Sequence, residues 1–145
     1  MCRRRRRVAD QQFLVQLLAG TQAYEIDGDI AFTGFNADKD YWSVVALTDL
    51  AAHTQIFFSD NEWNGTAFND ANEHTLLWNT GASAIGAGTV VLFTEIDNTG
   101  TPDTITASAG TLGLAGSGGT NLGLSASGDT LYAYLGTATA PTIFL

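Results

Sequence analysis

Tyr41-Trp42-Ser43-Val44-Val45-Ala46-Leu47-Thr48, followed six residues later by Thr54-Gln55-Ile56-Phe57-Phe58-Ser59, decides the fold class. Both runs are short and rich in β-branched and aromatic residues. Asp49, Ala51, Ala52 and His53 separate them, so each reads as a strand ended by a turn. The first is apolar on both faces, which predicts a central strand. Working outward, Asp29 to Phe35 alternates Ile30, Phe32 and Gly34 against Ala31, Thr33 and Phe35. Thr75 to Trp78 carries Leu76-Leu77-Trp78, and Thr89 to Thr94 carries Val90-Val91-Leu92-Phe93. These five runs are the predicted core. Thr104 to Ala107, Leu122 to Leu124, Thr130 to Leu135 and Thr142 to Leu145 complete a set of about eight or nine strands, an all-β chain. Gly113 to Gly123, though glycine-rich, lacks the lysine and the following helix of a phosphate loop. The paired spacing of Leu112 with Leu114 and Leu122 with Leu124 predicts instead two short strands about the loop Ala115 to Asn121.

Composition agrees. Sixteen glycines, 14% charged residues and 45% hydrophobic residues in 145 suit a sandwich with tight turns better than a helical bundle. The length fits one domain, predicted over residues 28–145, after an extension at residues 1–27. That extension holds the run Arg3 to Arg7 and then Phe13-Leu14-Val15-Gln16-Leu17-Leu18, which reads as a poor signal-like segment or as a short helix over Val8 to Leu18. The apolar run Thr142-Ile143-Phe144-Leu145 meets no polar turn, so the last strand reads as cut short, with its partner strand missing and a sheet edge open.

The charge is uneven. Beyond Arg7 the one base Lys39 stands against fifteen acids, a net of one minus fifteen, −14. A body of that sign repels phosphate backbones, so residues 28–145 are not expected to bind nucleic acid. It suits an extracellular setting or divalent cations. Cys2 is the single cysteine, so no intrachain disulfide forms. No apolar run reaches the length of a membrane span.

The stretches Gly28 to Asn36 (GDIAFTGFN), Val44 to Leu50 (VVALTDL), Thr54 to Trp63 (TQIFFSDNEW) and Ser127 to Tyr134 (SGDTLYAY) resemble a bacterial secreted and surface module related to the lamin-tail-like β-sandwiches. The resemblance covers residues 28–145. It implies an immunoglobulin-like sandwich, a secreted or cell-surface location and no catalytic residues; such modules also stand as accessory domains of secreted hydrolases. The likeness departs at His53, where it implies a glycine in the turn before the third strand.

Candidate sites follow from the acids. Asp60-x-Glu62-x-Asn64-Gly65 places oxygen side chains at alternate positions before a glycine, as in the first half of a calcium loop, with Asp70 and Glu73 as further ligands. Asn36-x-Asp38-x-Asp40 repeats the alternation, and the two loops would share a calcium ion if they met at one end of the sandwich. The competing reading is turn chemistry, in which Asn and Asp bond their own backbone. No cofactor is required in either case. Trp63 and Phe68, with Asn61 beside them, form a second candidate, an aromatic platform for polysaccharide. His53 and His74 lie in no nucleophile or metal-pair motif, so no enzyme is expected. The expected role is a non-catalytic structural or interaction module, its partner a protein or cell-surface component met through exposed edge strands.

Overall fold

The computed structural model describes residues 28–69, 73–94, 96–97, 105–116, 123–125 and 127–145. The extension at residues 1–27, with its expected helix, lies outside them, as do Asp70 and most of the loop Ala115 to Asn121. Among the described residues there are nine strands: β1 (Ile30–Asn36), β2 (Tyr41–Ala46), β3 (Gln55–Ser59), β4 (Thr75–Asn79), β5 (Val90–Thr94), β6 (Thr106–Ala107), β7 (Thr111–Ala115), β8 (Tyr132–Thr137) and β9 (Ala140–Phe144). They form two antiparallel sheets, one of order β1-β2-β5-β6 and one of order β7-β4-β3-β8-β9. This is a β-sandwich. As expected from its composition, β2 is an interior strand.

The pleat explains which side chains meet, because alternate residues of a strand point to opposite faces. Trp42, Val44 and Ala46 of β2 and Val91 and Phe93 of β5 point inward and are buried. From the facing sheet come Ile56 and Phe58 of β3, Leu76 and Trp78 of β4 and Ala133 of β8. Their rings interlock. Phe58 lies 5.4 Å from Trp42 and 5.0 Å from Phe93, and Trp78 meets Phe93 edge to face at 5.2 Å. Each such pair adds about 0.5–1.5 kcal/mol beyond the area it buries. Trp78 also donates its indole N–H to the Ala109 carbonyl at 2.9 Å, which fixes the crossing from β6 to β7.

The five-stranded sheet has a second apolar layer on its outer face, made of Phe57, Leu77, Tyr132, Tyr134 and Phe144. The β8–β9 hairpin curls over that face. Its register shifts between Leu135 and Gly136, and Gly136 takes a φ of 131° where an added Cβ would collide with the Ala140 carbonyl oxygen. The bend brings the Ala138 carbonyl over the sheet, where it accepts hydrogen bonds from the Tyr134 hydroxyl at 2.8 Å and Thr75 Oγ1 at 3.2 Å. Pro141 sits on edge strand β9, where a missing N–H breaks no ladder.

One strand reading is corrected. Thr111–Ala115 is β7, pairing with β4 through Leu112 and Leu114, but Gly123 and Leu124 are not in a strand. Leu124 is buried as a plug at the end of the sandwich, its N–H held by Asp40 Oδ1 at 2.7 Å. Isolated leucines among small residues satisfy strand spacing and plug spacing alike.

Candidate functional site

Most of the predicted site residues lie where β3 ends and β4 begins. The register Ser59↔Thr75 closes the β3–β4 ladder, so continuing it by one residue places Asp60 across from His74. Ser59 fixes the exit: its Oγ donates to the His74 carbonyl at 3.3 Å and accepts from the Asn61 N–H at 3.2 Å. The chain then forms a miniature hairpin. Trp63 and Phe68 make an antiparallel bridge, the Asn64 N–H donates to the Ala67 carbonyl, and the Asn69 N–H is shared between Glu62 O and Asn61 Oδ1.

Asn64 Oδ1 accepts from the N–H groups of Thr66 and Ala67 at 2.9 and 3.0 Å, while Gly65 turns the chain at a φ of 96°. That is an Asx turn. Asp60 is buried, whereas Glu62 and Asn64 are exposed, so the three alternate oxygens face different surroundings. Glu73 is half-buried and lies close enough to Asp60 for its charge to raise the Asp60 carboxyl. In the second cluster Asn36 caps the β1–β2 turn, accepting the Lys39 N–H at its carbonyl and lying 3.5 Å from the Tyr41 hydroxyl. Asp38 is exposed. Asp40 adopts a φ of 45° and spends its carboxylate on Leu124. Leu124 and Asp60 line one cavity, so the two clusters do lie at the same end of the sandwich. Among the described residues, however, no three acids or histidines are grouped to hold a metal ion.

Trp63 and Phe68 come together as expected, but edge to face at 71° and 5.2 Å. Trp63 also meets Phe144 at 5.2 Å and 66°, and Phe68 packs against Tyr132 and Tyr134. The two rings thus fasten the hairpin to the outer face of the five-stranded sheet. They are half-buried, and neither is stacked flat toward solvent with the other. His53 and His74 sit at opposite ends of β4, His53 bonding Gly81 by its N–H and His74 preceding Thr75. About 17 Å of strand separates such positions, too far for a shared proton or metal.

Sequence reasoning missed the group that surrounds Asp60. Burial pushes its carboxyl up from 3.8 to about 7, reinforced by the nearby charges of Glu73 and Asp129 and opposed by a backbone hydrogen bond. Trp42, His74 and Asp60 line the same cavity, together with Phe58, Leu76 and Ile96. The signal for this group was available in the β3–β4 register, which pairs residues 60 and 74 across the ladder; Asp129 and Trp42 arrive from elsewhere in the chain.

The fold and the site define an antiparallel two-sheet β-sandwich with an aromatic outer layer and, at one end, the buried carboxyl of Asp60 beside half-buried Glu73. Comparisons with protein-family models, with curated proteins and with solved structures find no match. Among the described residues no helix is long and apolar enough to cross a membrane.

Proposed function

We propose that the chain is a non-catalytic interaction module of a bacterial secreted or cell-surface protein, an immunoglobulin-like sandwich related to the lamin-tail-like domains. The resemblance over residues 28–145 and the two-sheet antiparallel packing support the family reading. The carrying observation for an interaction role is the asymmetry between the sheets.

The five-stranded sheet has its outer aromatic layer packed under the hairpin at residues 61–69, and Leu114 of β7 is its one large apolar side chain exposed among the described residues. By contrast, the four-stranded sheet leaves Val90 and Leu92 exposed on its outer face, across from Val45 and Ser43, with Leu47 just past β2, while Phe32 and Phe35 of edge strand β1 pair with inward-pointing Val44 and Trp42 and are exposed at the open edge of the sheet. Five of the six large apolar side chains exposed among the described residues therefore belong to or adjoin that sheet. Exposed apolar side chains gathered on one face of a sheet and along its edge mark protein contact sites, and the edge strand adds unpaired backbone groups. The partner is a protein or a cell-surface component meeting this sheet.

A photo-crosslinking residue at Leu92 in the native host is expected to capture a discrete adduct, whereas the same residue at exposed Ser83 captures none. Equal labelling from both positions, or no adduct from Leu92, overturns the assignment.

A further inference from the structure

Two buried polar atoms have no hydrogen-bond partner among the described residues: Trp42 Nε1 and His74 Nδ1. Buried donors and acceptors are nearly always paired, and an unpaired one costs about 1–3 kcal/mol. Two such losses in one small domain call for an explanation. Both residues line a single cavity of about 10 Å³ at the end of the sandwich, and the buried carboxyl of Asp60 lines it too. A cavity needs roughly 10–15 Å³ on this measure to hold one water molecule. The remaining walls are the apolar Phe58, Leu76, Ile96, Leu124 and Leu131 together with Ser59, whose hydroxyl is already bonded to the His74 carbonyl and the Asn61 N–H.

We infer that this cavity is a binding site for one ordered water, which accepts the Trp42 indole N–H and donates its two protons to His74 Nδ1 and to a carboxyl oxygen of Asp60. The stoichiometry closes. Trp supplies only a donor, a carboxyl oxygen accepts, and an imidazole carrying its proton on Nε2 accepts at Nδ1. One water meets all three with two donated bonds and one accepted, within the usual count of about three for a buried water. A metal cation does not fit the same position, since the indole N–H would point at it. The three residues come from β2, the exit of β3 and the entry of β4, so the water ties the two sheets together where no ladder does. Asp60 keeps an accepting oxygen whether or not it is ionised, so the water is held on both sides of its titration.

The protein carries its own control. Trp78 donates its indole N–H to a carbonyl, so it has no need of water. In water-selective NOE and ROE spectra of the full chain, the Trp42 indole proton is expected to show a cross-peak with a long-lived water, and the Trp78 indole proton none. Trp42→Phe and Trp78→Phe assign the two signals. A crystal structure is expected to place an oxygen about 3 Å from Trp42 Nε1, His74 Nδ1 and Asp60. Asp60→Asn, which keeps an accepting oxygen, retains the cross-peak; Asp60→Leu, which fills the space with methyl groups, loses it. A Trp42 indole proton as dry as that of Trp78, or bonded in the crystal to a protein carbonyl, overturns the inference, and the wild-type spectrum decides this even if a variant fails to fold.

Discussion

Among the described residues two that are not glycine take a positive φ, Asp40 at 45° and His53 at 63°, and they make an instructive pair. A left-handed residue with a Cβ costs roughly 1–2 kcal/mol, less for Asp, whose side chain bonds locally. Asp40 recovers the cost, since its carboxylate holds the Leu124 N–H at 2.7 Å and so seats the plug at the end of the core. His53 is exposed, and its backbone N–H bonds Gly81 O at 2.7 Å. A positive φ is the conformation that glycine adopts at the least cost. His53→Gly is therefore expected to stabilise the fold by about 0.5–1 kcal/mol, the relieved strain less the entropy a glycine adds to the unfolded chain. Asp40→Gly is expected to destabilise it by about 1 kcal/mol or more, because the charge-assisted bond disappears. Denaturant midpoints of the two variants check the contrast: two shifts of the same sign would show that backbone strain is not what separates these turns.

At the scale of elements, the hairpin at residues 61–69 is a lid fastened by aromatic contacts. Trp63 touches Phe68 and Phe144, and Phe68 in turn touches Tyr132 and Tyr134, so removing the indole unfastens the lid from β8 and β9. Trp63→Ala is expected to lower stability by about 1–3 kcal/mol, below the roughly 3–5 kcal/mol of a fully buried tryptophan because Trp63 is half-exposed. Thermal melts measure this, and an unchanged melting temperature would return Trp63 to the role of an exposed platform. Most of this architecture was legible. Strands β1 to β5 each fall within two residues of the runs marked by alternation and turn residues, because period-two burial is a local property. The lid was not legible, since Asp60-x-Glu62-x-Asn64-Gly65 is the same string whether its oxygens face an ion or their own backbone. What decides is the Asx turn at Asn64, together with a hydrophobic pair, Trp63 and Phe68, whose partner Phe144 lies some eighty residues away in sequence. Nor does any local pattern show that β5 presents Val90 and Leu92 to solvent, because a run apolar on both faces reads as buried on both.

For the whole molecule the consequence of the carboxyl pair is a dependence of stability on pH. Asp60 packs at the junction of the two sheets, facing Glu73, Asp129 and His74, and its folded-state value stands near 7 against an ordinary 3.8. Between these values the folded protein holds a proton that the unfolded chain has released. Stability from this group is thus complete below about pH 4, declines as pH rises, and is lost once pH passes about 7. The sign is opposite to that of a salt-bridged carboxylate, whose contribution grows over the same range. Asp60→Asn keeps the shape of the neutral acid and cannot ionise, while leaving its neighbours His74, Glu73 and Asp129 unchanged. The gap in unfolding free energy between variant and wild type is accordingly expected to widen in favour of the variant from pH 4 to pH 7 and to level off above that. Guanidinium unfolding at half-unit pH steps measures the gap directly. A gap that stays constant across the window would mean that Asp60 ionises in the folded sandwich as freely as in the unfolded chain, and that burial at this end of the core does not reach its carboxyl group.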